Sequence, residues 1–333
     1  MPKSIREDPA RQTASAAAVS AAAEGAGAVG AATGRIAARV DAAPALELDR
    51  RPARILSFGS QLVHGSVGLN AAERVTTASG IRVVAVPTIL LSAMPHYESV
   101  HHIEIPAHWL AQTLHDLDQI RALASVEIVT SGYLASPSQT EPIARWYDAL
   151  PRASRPPLLL DPTLGDTELG FYTDPEVAGA IRRDLVPLAT GITPNLFELA
   201  HLTGIPLPEL TTPARIEAAA RTLMGPRTEW VAVTGVDCSP HPNADAVDPL
   251  TTDTHAPDTQ TPDAVGELLV TRMHTTVHTH ARVRTSAKGL GDTFAAALAV
   301  AVLGGADITA AVDAAATAVR SAVHPYIWSP ACP

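Results

Sequence analysis

"VEIVTSGYLASPSQ", residues 126–139, is the stretch on which the fold turns. Its first half is short, β-branched and apolar on both faces, as a strand covered by helices on both sides must be, and a turn signal follows at once. Its second half sets Ser136 and Gln139 at capping-box spacing, so a helix is expected to begin there.

The same unit recurs along the chain. "ARILSFG", "RVVAVPT", "PLLLDPT", "GITP" and "EWVAVTG" are equally short apolar runs closed by turn residues. Helix signals lie between them: Asp174 and Thr212 each precede a proline at a first helical position, and Gly80 and Gly204 close helices. This alternation predicts an α/β protein, with an open, mostly parallel sheet carrying helices on both faces in three αβα layers. Ligands bind such sheets beyond the carboxyl ends of the strands.

Functional residues are therefore expected just after each run. They are Ser60, Thr88, Tyr133, Asp161 with Asp166, then Thr193, Asn195 and Glu198, and Thr234 with Gly235. The series ends in "KGLGDTFAAALA", residues 288–299, where Gly289 and Gly291 should both turn with positive φ and a helix should run from Asp292. Such a turn before a helix N-terminus is an anion hole. Asp292 there is either an ordinary N-cap or a base that takes a proton from a hydroxyl attacking a phosphoryl group. The inventory is hydroxyls, amides and carboxylates, which suits a phosphate-bearing substrate with Mg²⁺ better than acyl transfer.

Composition narrows the setting. The chain has 333 residues, 46% of them hydrophobic, enough for a sizeable core. A formal net charge of -10 argues against nucleic acid as partner. Cys238 and Cys332 form no CxxC pair, so no disulfide framework is expected and a cytoplasmic location is compatible. Apolar stretches are broken well before the roughly 20 residues of a membrane span, so no membrane partner is expected. Residues 1–50 are Ala/Gly/Ser-rich and expected to be a disordered tail, without the hydrophobic centre of an export signal. Residues 51–328 form one domain in this reading, with 238–264 as a long exposed Pro- and Asp-rich loop and 329–333 as a C-terminal tail. His278 and His280 fall on one face of a strand. Without a third spaced ligand they read as structural histidines.

Five stretches in order, "SFGSQLVHGSVGLNAA" (57–72), "SGYLASPSQ" (131–139), "DPTLGD" (161–166), "TPNLFELAHLTG" (193–204) and "GLGDTFAAALA" (289–299), resemble the successive motifs of pyridoxal kinases. These belong to the ribokinase-like superfamily of vitamin and sugar kinases. The resemblance implies ATP-dependent phosphorylation of the 5'-hydroxymethyl group of pyridoxal and related B6 vitamers, giving pyridoxal 5'-phosphate. It implies Asp292 as catalytic base with Gly289 and Gly291 as anion hole, and Ser60, Thr88 and Tyr133 on the pyridine substrate. Asp161, Asn195, Thr234, Gly235 and the two glycines fall to ATP, and Asp161 and Glu198 to Mg²⁺, partly through water. A homodimer is implied as well. The chain departs from the family pattern at Gln61, His64, Ser66 and Leu69, and Leu90 and Met94 replace hydrogen-bonding groups, which should loosen discrimination among alcohols. A hydroxymethylpyrimidine or sugar kinase is therefore an alternative, as is a non-catalytic B6-vitamer binding protein. The GLGD and NxxE stretches oppose the latter, because a pure binder has no use for a base aimed at phosphate.

Overall fold

Each apolar run quoted above is a strand in the computed structural model, which describes residues 48–239 and 263–323. In chain order the first half comprises β1 (Ala53–Leu62), α1 (Gly68–Ala78), β2 (Arg82–Leu91), β3 (His102–Glu104), α2 (Ala107–Gln119), β4 (Ile128–Ser131), α3 (Thr140–Ala149), β5 (Leu158–Leu160), β6 (Gly165–Asp166) and β7 (Gly170–Phe171). The second half comprises α4 (Glu176–Asp184), β8 (Gly191–Ile192), α5 (Leu196–Thr203), α6 (Pro213–Thr222), β9 (Trp230–Asp237), β10 (Ala264–Thr271), β11 (Thr275–Ala281), α7 (Leu290–Leu303) and α8 (Ile308–Val323).

Nine strands make one sheet in the order β11-β10-β9-β8-β5-β4-β1-β2-β3. From β2 to β9 the neighbours pair in parallel, whereas β3 joins β2, and β10 joins both β9 and β11, antiparallel. The chain lays β2 on one side of β1 and β4 on the other, so the direction of winding reverses between β1 and β4. That is where an open α/β sheet leaves a crevice. β6 and β7 form a separate two-stranded hairpin just beyond β5.

Two apolar clusters cover the two faces. Phe58, Leu160 and Val231 point to one side, with Leu110 of α2, Ile143 of α3, Ile181 of α4, Leu199 of α5 and Ile216 of α6. Ile55, Leu159 and Trp230 point to the other, with Phe294 and Leu298 of α7 and Val312 of α8. The small side chains of α7 and α8, including Ala297, Ala299, Ala311 and Ala315, let these helices lie close to each other and to the sheet. Gly191 is required for the same reason: a Cβ there would stand 1.9 Å from the Trp230 ring.

Helix ends agree in part with expectation. Thr212 Oγ1 accepts from Arg215 N–H at 3.3 Å with Pro213 at the first helical position, Asp174 Oδ1 accepts from Glu176 N–H at 2.9 Å, and Gly204 closes α5 with φ 76°. The expected Ser136/Gln139 box is not formed, since Ser136 caps nothing with its side chain. Gln139 is buried instead and acts as a rivet: its Nε2 donates to Thr88 O and Ile105 O at 2.8 and 2.7 Å, and its Oε1 accepts from Ala135 N–H. Burial of an amide demands such partners, and they were more valuable here than a cap. A true capping box closes the start of α5, between Asn195 and Glu198.

Ala264 belongs to β10 and not to the preceding loop. Most of the expected tail (1–47), the 240–262 part of the expected loop and residues 324–333 lie outside the described residues. No described helix is long and apolar enough to cross a membrane.

Candidate active site

Two cavities, of about 450 and about 490 Å³, lie at the carboxyl end of the parallel strands. The first lies over β5, β8 and β9. Asp161 follows β5 directly, Thr193 and Asn195 follow β8, and Thr234 and Gly235 stand near the end of β9; all line this cavity. A single parallel bridge between Asn195 and Thr234, with Thr234 N–H donating to Pro194 O at 2.9 Å, carries the β8–β9 pairing outward to the cavity rim. The second cavity lies beside β1 and β2. Ser60 and Tyr133 line it, and Leu62, Leu91, Leu169 and Phe171 give it apolar walls. Thr163, Tyr172, Lys288, Gly289 and Asp292 line both cavities.

The start of α7 forms this shared wall. Gly289 sits at φ 84° as the N-cap, and a Cβ there would come within 2.4 Å of Ser66 O, so only glycine brings α7 this close to the β1–α1 loop. Thr293 N–H makes the first helical bond, to Gly289 O at 3.0 Å, so the N–H groups of Leu290 and Gly291 precede the helical ladder, at the positive end of the helix dipole. α7 begins at Leu290, two residues earlier than expected; Asp292 is in its first turn and is not the N-cap. Gly291 does not carry the positive φ expected of it, being helical. A Cβ there would stand 4.0 Å from Asp161 Oδ2, an ordinary contact, so no clash demands a glycine at this position.

The carboxylates crowd one another. Burial raises the pKa of Asp292, while the N–H groups of Gly68 and of Asp292 itself work against the rise. Gly68 reaches it because φ is 57° and no Cβ intrudes; one would meet Ser60 Oγ at 2.1 Å. Asp161 is raised well above the usual carboxylate range, by burial first and then by the charges of Glu198 and Asp292. Glu198 is pushed up to about 7, chiefly by burial. Its two oxygens are already engaged, Oε1 by Leu164 N–H and Oε2 by Asn195 N–H, both at 2.9 Å, and Asn195 Nδ2 donates to Gly165 O. NxxE is thus both a helix cap and a cavity wall. Thr193 Oγ1 is buried with no partner and lines the same cavity.

These donors suit a hard cation. Among the described residues no three His, Cys, Asp or Glu are set to hold a metal alone. Mg²⁺, however, keeps waters and takes one or two carboxylates plus phosphate oxygens. Asp161 and Glu198 both line the first cavity, and they are the residues that would hold such an ion, Glu198 through water because its oxygens are committed to N–H groups.

Thr88 does not line the second cavity: it is fully buried, and its Oγ1 donates to Tyr133 O at 2.6 Å. Leu90 is 38% exposed and, like Met94, is not part of the wall; Leu62 and Leu91 are. Tyr133, by contrast, faces the cavity, and its hydroxyl donates to Tyr172 O at 3.3 Å. Lys288, Tyr172 and the β6–β7 hairpin were not anticipated. Lys288 carried a signal, since the chain has only two lysines, Lys3 and Lys288. The histidines of β11 each engage one ring nitrogen: His278 Nδ1 meets Asp313 Oδ1 at 2.5 Å and His280 Nε2 meets Glu267 Oε1 at 3.2 Å.

The model of the family described as phosphomethylpyrimidine kinase matches residues 64–329. The chain belongs to this kinase family. Among curated relatives, a pyridoxine/pyridoxal/pyridoxamine kinase of Bordetella bronchiseptica is 40% identical over 275 residues, covering 82% of this chain and 89% of the relative. A kinase of the same description from Bordetella avium is 36% identical, covering 78% and 81%. Among solved structures, pyridoxal kinase from Entamoeba histolytica superposes with a TM-score of 0.69 at 20% identity, covering 84% of this chain and 91% of that one. Pyridoxal kinase from Leishmania donovani in complex with ADP gives 0.68 at 23% identity, covering 82% and 87%. At such identities these two establish the ribokinase-like fold of the kinase.

Proposed function

We propose that this kinase transfers the γ-phosphoryl group of ATP to the 5'-hydroxymethyl group of pyridoxal and related B6 vitamers, yielding pyridoxal 5'-phosphate and ADP. One observation carries the mechanism: Asp292 and Gly289 line both cavities, so a nucleotide in one and an alcohol in the other meet at the start of α7. In this reading Asn195, Thr234 and Gly235 border the nucleotide. Ser60 and Tyr133 border the ring, and Leu62, Leu91 and Phe171 supply its apolar walls.

Asp292 accepts the hydroxyl proton as the oxygen attacks phosphorus. Its raised pKa makes it a stronger base than an ordinary carboxylate. The N–H groups at the start of α7 then stabilise charge on the migrating group. Asp161, and Glu198 through water, would hold Mg²⁺, which would supply charge neutralisation at the phosphates. The experiment is an ADP-release screen of the purified protein with Mg·ATP over the B6 vitamers, hydroxymethylpyrimidine and common sugars. Turnover of B6 vitamers that is lost in Asp292→Asn supports the reading, and none with any vitamer ends it.

Hydroxymethylpyrimidine is the second substrate to consider, favoured by the description of the matched family. A homodimer is proposed too: Ile103 on the edge strand β3 is 65% exposed and pairs with exposed Leu90 of β2, an apolar edge suited to a second copy. A cytoplasmic location accords with the use of ATP.

A further inference from the structure

Lys288 is the single lysine among the described residues, and it lines both cavities. The side chains facing the first cavity include five carboxylates, those of Asp161, Asp166, Glu168, Glu198 and Asp292, against Lys288 as the one cation among the described residues there. A triphosphate adds further negative charge to this setting. The group transferred must cross the wall shared by the two cavities, where Lys288 is again the one cation among the residues common to both.

Lys288 makes one long ion pair, with Asp166, and no hydrogen bond within it. Its Nζ stands 3.9 Å from Asp166 Oδ2, beyond hydrogen-bond reach, with its side chain 30% exposed. Asp166 has nearer partners: its Oδ1 accepts the N–H groups of Glu168 and Leu169 at 2.8 and 2.7 Å, and the Tyr172 hydroxyl donates to its Oδ2. The position is also fixed, because Lys288 immediately precedes Gly289, whose backbone lies against Ser66 O.

We propose that Lys288 is a catalytic residue of the phosphoryl transfer, its ammonium donating hydrogen bonds to the non-bridging oxygens of the γ-phosphoryl group as that group passes from one cavity to the other. The inference rests on the kinase reading above. The bond from Pγ to the bridging oxygen breaks and its electron pair stays on ADP. The bond from the alcohol oxygen to Pγ forms, the alcohol proton goes to the Asp292 carboxylate, and Lys288 keeps its own protons throughout.

The test uses the full-length protein and Lys288→Met, Lys288→Arg and Asp166→Asn, with two readouts in Mg²⁺ buffer. These are turnover with pyridoxal, and calorimetric affinity for ADP and for the non-hydrolysable β,γ-imido analogue of ATP. Lys288→Met is expected to lower kcat by ~100-fold and to weaken the imido analogue by ~10-fold while ADP binds as before, which also shows the variant folded. Lys288→Arg should recover part of both losses. Lys288→Met within about threefold of the parent in both readouts overturns the proposal. So does an Asp166→Asn variant that reproduces the whole pattern, since Lys288 would then act only by fixing Asp166. If the parent turns over no alcohol, the functional reading fails, and the ratio of analogue to ADP affinity still decides on Lys288: a falling ratio upholds the phosphate contact and an unchanged one overturns it.

Discussion

Gly68 and Asp292 both line the second cavity, and the N–H of Gly68 opposes the burial that raises the Asp292 carboxyl. Gly68 turns with φ 57° against Ser60, where any side chain would collide. Gly68→Ala should therefore impair turnover as well as stability, and the latter by roughly 1–3 kcal/mol in a denaturant melt. Asp292→Asn should lower kcat by ~10²- to 10⁴-fold without a comparable loss of nucleotide affinity. The pH profile follows from the same residue. Asp292 works as the carboxylate, and burial holds its pKa above the ordinary value, so kcat/KM should rise with pH through an acid limb lying above about pH 4. A flat profile down to pH 4 counts against Asp292 as the base. Gly289 was legible in the sequence as the turn before a helix, whereas the helix start was placed two residues late and Gly291 was misjudged, because the helix takes in both Gly291 and Asp292. Thr88 was not legible, because Gly59 pairs with Pro87 and Ser60 with Ile89, leaving Thr88 as the extra residue of a bulge that turns its hydroxyl inward.

At the scale of elements, the parallel strands and the helix start at Thr212 were readable because local chemistry decides them. β10 and β11 were harder, since they pair antiparallel at the sheet edge and carry buried Glu267 and His278 and half-buried His280 beside ordinary apolar residues. Burial raises the Glu267 carboxyl above its usual range, against the pull of His280, His278 and Arg320. A raised carboxyl stabilises the fold fully below its unfolded pKa, and this contribution is lost as pH rises through the folded value. Glu267→Gln, neutral throughout, should thus raise Tm relative to the parent at pH 8 and change it little at pH 4. Gly191→Ala should do the opposite at any pH, by forcing Trp230 out of its packing, at a cost of about 1–3 kcal/mol. The β6–β7 hairpin escaped notice because each strand has two residues, too short for any periodicity. Its Phe171 packs edge-on against Phe197 of α5 at 5.1 Å between ring centres, which anchors the hairpin beside both cavities.

For the whole molecule, binding energy should appear as stability. The cavity walls come from strand ends and helix starts on both sides of the winding reversal, so a ligand filling them holds separate parts of the sheet together. At 100 times its Kd a ligand that binds only the folded state adds about 2.7 kcal/mol, or roughly 4 °C in Tm for a chain of this size. An ATP analogue and pyridoxal, each added alone, should shift the melt, and no shift with either would argue that the cavities are not their sites. The order of strands and helices could be foreseen from alternation. How the walls divide between two cavities could not, because it depends on where β1, β2 and the hairpin carry their side chains in space.

That division has an evolutionary reading. Leu62, Leu91, Leu169 and Phe171 border only the second cavity, and none of them borders the first. Selection can reshape those four positions one at a time while the phosphate-handling side stays untouched. A lineage can thus drift from one ring-bearing alcohol to another without ever passing through a dead enzyme.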